Sequence, residues 1–127
     1  MRSLLLFPFL LALSASLCAS LSGCQRRVPQ PQSTVGDAAL GARLVDQFQC
    51  GTCHRIPDIP AADGRSGPTL AAFGRRSYIA GSIPNMPDQL ARWLVDPASL
   101  KPGTTMPAMG VSELEARHMA AYLGTLR

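Results

Sequence analysis

The stretch that decides the reading is "QCGTCHR", residues 49–55, where Cys50 and Cys53 stand three apart and His54 follows at once. A disulfide has no use for a histidine at that place. A zinc site would take these residues only as part of a set of four ligands. Which chemistry applies depends on where the chain lives and on what else it offers.

Outward toward the N-terminus, Arg2 gives one positive charge, residues 4–17 are almost wholly apolar, and "LSGC" follows at residues 21–24. A charged start, an apolar middle and a small-residue end form the pattern of an export signal. As a membrane span the segment is short and contains Pro8. Its ending resembles the lipobox of bacterial lipoproteins. That resemblance implies a signal peptide over residues 1–23 and a lipid on Cys24, the first residue of the mature chain. The alternative is a plain signal cut after a small residue, with Cys24 incidental. Residues 24–36 then read as a lipidated cysteine and flexible tether. The run "QRRVPQPQSTVG" is polar, carries proline and has no periodicity. Extended as polyproline helix, it would reach roughly 35 Å. The expected location is therefore outside the cytoplasm, on the periplasmic side, with the chain held to a membrane through Cys24.

Of the four cysteines, Cys18 lies in the signal and Cys24 takes the lipid, which leaves Cys50 and Cys53. A redox disulfide of the thioredoxin kind would need alternating strands and helices, and the chain shows no such pattern. Zinc would need two more good ligands, and the only other histidine is His118. What remains is c-type haem attachment. Each thiol adds to one vinyl group of the porphyrin, two intervening residues span the gap, and the following turn brings the His54 imidazole to the iron. The expectation is one haem c, bound covalently through Cys50 and Cys53.

The rest, residues 37–127, is a single small domain near the size where a protein-only core becomes marginal. A large buried cofactor would help to stabilise it. Twelve basic side chains stand against eight acidic ones, and without Arg2 the balance is +3. That charge is too weak and too dispersed for a nucleic-acid partner.

Three stretches read as helices and none as a strand. "DAALGARLVDQFQC" starts at a capping aspartate, Asp37, with Leu40, Leu44, Val45 and Phe48 at helical spacing. "PDQLARWLVDP" opens at Pro87, presents Leu90, Trp93 and Leu94 on one face, and must stop near Asp96 because Pro97 follows. "SELEARHMAAYLGTL" has Ser112 and Glu115 in capping-box register, with Leu114, Met119, Tyr122, Leu123 and Leu126 forming an apolar arc. A shorter helical turn is expected around "TLAAFGRR". Two long connections rich in glycine and proline lie between these helices, as loops wrapped around a bound body would. The expected class is all-α, with three main helices and long loops around one haem.

A methionine as sixth ligand would close the iron and suit electron transfer. The candidates are Met86, Met106, Met109, Met119 and His118. Met119 sits in the apolar arc and reads as core. His118 adjoins Arg117 and reads as a surface residue, while Met86 opens the second helix. In "KPGTTMPAMG", Gly103 frees the chain, Pro107 stiffens it and Met106 stands between them. A proline directly after a residue biases that residue toward extended backbone, which suits a side chain thrust inward. Met106 is therefore the expected iron ligand beside His54, with Met109 and an open or histidine-bound iron as alternatives.

With these residues in view, residues 41–127 resemble a class I cytochrome c, and most of all the cytochrome c domain fused to subunit II of bacterial haem-copper oxidases. The resemblance rests on "CGTCH", "GPTL" at residues 67–70, "FGRRSYIAG", "PN" at residues 84–85, "LARWLVDP", "KPGTTMP" and "AAYL". It implies the class I cytochrome c fold. It also implies that the Pro68 carbonyl accepts a hydrogen bond from His54, and that Gly41 and Tyr122 mark the crossing of the first and last helices. Arg76 and Trp93 become candidates to bind the haem propionates. Many of these proteins carry an aromatic residue on the first helix where this chain has Val45, with Phe48 near enough to compensate. No copper-binding domain or pair of membrane helices precedes the haem domain, so the likeness is to a free-standing tethered version.

The function implied is a non-enzymatic electron carrier of a respiratory chain. It would exchange single electrons with a redox donor and acceptor, a terminal oxidase among them, as a monomer or as a subunit of a membrane complex. The rivals are a haem enzyme such as a peroxidase and a sensor of diatomic gases, both of which need an open sixth iron position.

Overall fold

The computed structural model describes residues 36–127. The signal peptide expected over residues 1–23, the lipidation expected at Cys24 and the expected tether as far as residue 35 lie outside the described residues. Among the described residues four helices appear in chain order: α1 (Ala38–Gln47), α2 (Pro87–Val95), α3 (Pro97–Leu100) and α4 (Glu113–Thr125). Single 3-10 turns stand at Cys50–Thr52 and Phe73–Arg75, the second within the expected turn.

Three of these helices begin where a side chain accepts from a free N–H group, and α2 begins at a proline. The Asp37 carboxylate accepts from the Leu40 N–H at 3.0 Å and caps α1. That bond holds the Asp37 carboxyl below its usual range. Pro87 opens α2 at a position where no N–H is needed. The α2 helix ends at Asp96, and the chain at once restarts as the one-turn α3. Asp96 caps it by accepting from the Ser99 N–H at 3.2 Å. That restart was not expected, although the same aspartate–proline pair explains both the stop and the new start. At α4 the capping box of Ser112 and Glu115 is complete. Val111 before it and Ala116 within its first turns are both buried, as a hydrophobic staple requires.

The sequence reading needs two corrections. Leu114 belongs to no apolar arc, because it is about half exposed (49%) while Ala116 and Ala120 are buried. The fold also contains one strand pair, β1 (Tyr78–Ile79) antiparallel to β2 (Ile83–Pro84), with Ile79 opposite Ile83. Two residues per strand are too few to show a period of two. Gly81 makes the reversal between them at a φ of +92°.

The largest helix contact is α1 against α4, with α2 packed on α4 next. Gly41 lets the first two approach closely. A Cβ there would collide with the His118 carbonyl and come within 2.9 Å of the Tyr122 Cβ. His118 itself belongs to this junction, since its Nδ1 accepts from the Asp37 backbone N–H at 2.8 Å. Tyr122, on the next turn, donates its hydroxyl to the Pro57 carbonyl at 3.0 Å and so fixes the loop after the cysteine motif. Among the described residues no helix is long and apolar enough to cross a membrane.

Candidate functional site

At the end of α1 the chain turns through Gln49, whose φ of +56° lies in the left-handed region. The turn at Cys50–Thr52 follows, and the His54 N–H bonds back to the Cys50 carbonyl at 3.0 Å. This compact turn places Cys50, Cys53 and His54 together on the wall of one cavity of about 670 Å³. Both cysteines are free. Burial pushes the half-buried Cys50 thiol up from its ordinary value, and the neighbouring Cys53 adds to the rise.

His54 is held on one ring nitrogen. Its Nδ1 donates to the Pro68 carbonyl at 2.7 Å, which leaves Nε2 as the free lone pair for a metal. Gly67 lies against the same ring. A Cβ there would fall 2.7 Å from Nδ1, so only glycine lets the backbone come this close. The Gly67 N–H also bonds the Cys53 carbonyl at 2.7 Å, which ties this loop to the cysteine turn.

Each proposed ligand has a definite place. Met106 is half-buried, packs against the core and lines the cavity. Met109 and Met86 are 43% and 58% exposed, and neither lines it. Met119 is 1% exposed and lies on the wall from α4, as a core residue that also touches the cavity. Trp93 is buried and lines the cavity from α2.

Arg76 also lines it, but part of its guanidinium is already engaged. One amino group donates to the Thr69 carbonyl and, at 3.4 Å, to the Ala71 carbonyl. The guanidinium carbon stands 5.4 Å from the Phe73 ring centre. The rest of its fork of five N–H groups stays available to an anion.

Val45 is 1% exposed and forms part of the wall. Phe48 packs against the core but is not on that wall, so it does not take the place of an aromatic residue there. The sequence reading missed Tyr78, Lys101, Thr104 and Thr105 on the cavity rim. Their only sequence signal was membership of the two loop segments.

These residues fit a covalent haem. The cavity lies within the range of about 300–1,000 Å³ usual for cofactor sites. Its walls include Leu70, Phe73, Leu90, Leu94 and Leu123, apolar faces suited to a flat macrocycle. Two free thiols, one imidazole with Nε2 unblocked and the thioethers of Met106 and Met119 line the same space, while hydroxyl and cationic donors sit at its rim.

Comparison with known proteins agrees with that geometry. The family described as cytochrome c matches residues 38–127. A cytochrome c oxidase subunit 2 from Alkalihalophilus pseudofirmus is 34% identical over 110 residues, covering 86% of this chain and 31% of the relative. The cytochrome c-type cyt cy of Rhodobacter capsulatus is 30% identical over 105 residues, covering 76% of this chain and 52% of the relative. Cytochrome c-552 of Bradyrhizobium diazoefficiens is 32% identical over 91 residues, with 72% and 76% covered. The chain thus spans about a third or less of the oxidase subunits it matches.

Proposed function

The chain belongs to the cytochrome c family, and on that premise we propose that it is a lipid-tethered carrier of single electrons in a respiratory chain. It works on the periplasmic side, held through Cys24, between a redox donor and an acceptor such as a terminal oxidase. Family membership gives it one haem c, bound through Cys50 and Cys53. When bound, the haem supplies a one-electron iron couple.

The observation that carries this reading is the position of Met106, on the wall of the same cavity as His54 and packed against the core. The Pro68 carbonyl fixes the His54 tautomer and strengthens the imidazole as a donor. The Met106 sulfur is a soft ligand that favours the reduced state. Apolar side chains from α1, α2 and α4 keep water from the site. Cys53 is exposed, so the attachment edge reaches the surface and an electron can pass without a bound substrate. Arg76 and Trp93 are the proposed donors to the haem carboxylates.

Membrane tethering has a direct test. Wild-type protein should sediment with membranes and carry acyl mass on its first mature peptide. Two or more chains hold firmly where one binds only marginally. Cys24→Ser should release the domain into the soluble periplasmic extract, or leave its uncleaved signal in the membrane. Membranes lacking the protein should consume oxygen more slowly with a respiratory donor, and adding back the wild type should restore the rate. Wild-type protein that is soluble and free of acyl groups would refute the tether. An unchanged oxygen rate would refute the respiratory role.

A further inference from the structure

The loop that carries Met106 runs over residues 101–111 without a helix, and nearly all of it is exposed. Gly103 and Gly110 bracket its middle at φ +80° and +75°, and each faces open space. Such a segment has little to hold it shut. Its backbone bonds are local: the Lys101 N–H to the Pro97 carbonyl at 3.0 Å and the Thr104 N–H to the Lys101 carbonyl at 3.1 Å. The Met106 N–H bonds the Thr104 hydroxyl at 3.3 Å. Among the described residues, one hydrogen bond joins this loop to the far side of the cavity. Lys101 Nζ donates to the Ala80 carbonyl, in the turn between β1 and β2, at 2.8 Å.

Taken together these bonds form a continuous relay. It runs from the Ala80 carbonyl to the Lys101 ammonium, through the Lys101 carbonyl to Thr104, and from the Thr104 hydroxyl to the backbone of Met106. The acceptor is presented by a constrained turn, with Ala80 and Gly81 both at positive φ. Lys101, Ala80 and Met106 all line the one cavity. We propose that Lys101 is a clasp across the cavity mouth and the positioning residue for Met106. It keeps the methionine loop closed over the haem and keeps small ligands from the iron. The proposal rests on Met106 as the iron ligand.

The test measures imidazole binding to the oxidised holoprotein, beside the far-red sulfur-to-iron band and the denaturant midpoint. Lys101→Ala should tighten apparent imidazole affinity by about three- to ten-fold, as expected for one hydrogen bond from a charged but exposed donor. It should also weaken the far-red band on warming. Lys101→Arg, which can still reach a carbonyl with a charged N–H, should return affinity to within about two-fold of wild type. Met106→Ala should bind imidazole far more tightly than any of these, with or without Lys101. If Lys101→Ala stays within two-fold of wild type while Met106→Ala opens the site, the clasp is refuted and the ligand reading stands. If Lys101→Arg behaves like Lys101→Ala, donation to Ala80 is not what closes the loop, and the proposal fails. If Met106→Ala leaves imidazole affinity unchanged, both readings fall together.

Discussion

Replacing Met106 by alanine is expected to remove the far-red sulfur-to-iron band and to open the iron to carbon monoxide and peroxide. The midpoint potential should fall by on the order of a tenth of a volt or more, because thioether ligation favours the ferrous state over water or histidine. Met109→Ala is the matched control. Met109 lies three residues along the same loop, yet it is 43% exposed and off the cavity wall, whereas Met106 packs against the core. Its loss should leave band, potential and carbon monoxide binding nearly unchanged. If Met109→Ala removes the band and Met106→Ala spares it, the ligand has been misassigned. Paired measurement matters here because either single variant could perturb the loop.

The second large effect concerns the cysteines. A double change, Cys50→Ala with Cys53→Ala, should yield protein whose colour extracts into acid-acetone and whose chain mass lacks haem. Either single change should keep haem on the chain through the remaining thioether. Protein without haem should be unfolded, with little helical signal and no cooperative melt. The cavity of about 670 Å³ is walled by apolar side chains from α1, α2 and α4 that the haem would cover. The whole stability of a domain is only about 5–15 kcal/mol, so exposing those walls to water is expected to unfold this one. Haem-free protein with native helix content and a sharp melt would show that the walls close on themselves instead.

Much of this architecture was legible because its signals are local. Asp37, Pro87 and the Ser112–Glu115 pair mark helix starts within four residues, and Leu44, Val45, Trp93 and Leu94 show their burial through spacing alone. The cysteine motif is local in the same way, since one turn creates the whole constellation. Met106 could be singled out because glycine and proline bracket it.

The illegible features are bonds between residues remote in sequence. The His118 bond to Asp37 spans 81 positions, Tyr122 to Pro57 spans 65 and Lys101 to Ala80 spans 21. No periodicity records such pairings, and each uses a backbone group that any residue type would supply. Leu114 misled for a different reason. It is apolar and stands among the core residues in sequence, but at about 100° per residue it falls on the far side of α4 from the buried Ala116 and Leu123, so the leucine reaches solvent. The β1–β2 pair escaped because its register is set by the reversal at Gly81 and not by strand composition.

The central claim, that His54 and Met106 close the iron of a single-electron carrier, is tested most directly by one redox titration of the wild-type holoprotein. The titration is run with and without carbon monoxide. A closed iron gives a single one-electron curve that the gas does not move, because the ferrous state has no free position for it to stabilise. A curve displaced to higher potential by carbon monoxide would show an open or easily vacated sixth position, contradicting the carrier account and favouring a haem enzyme or gas sensor.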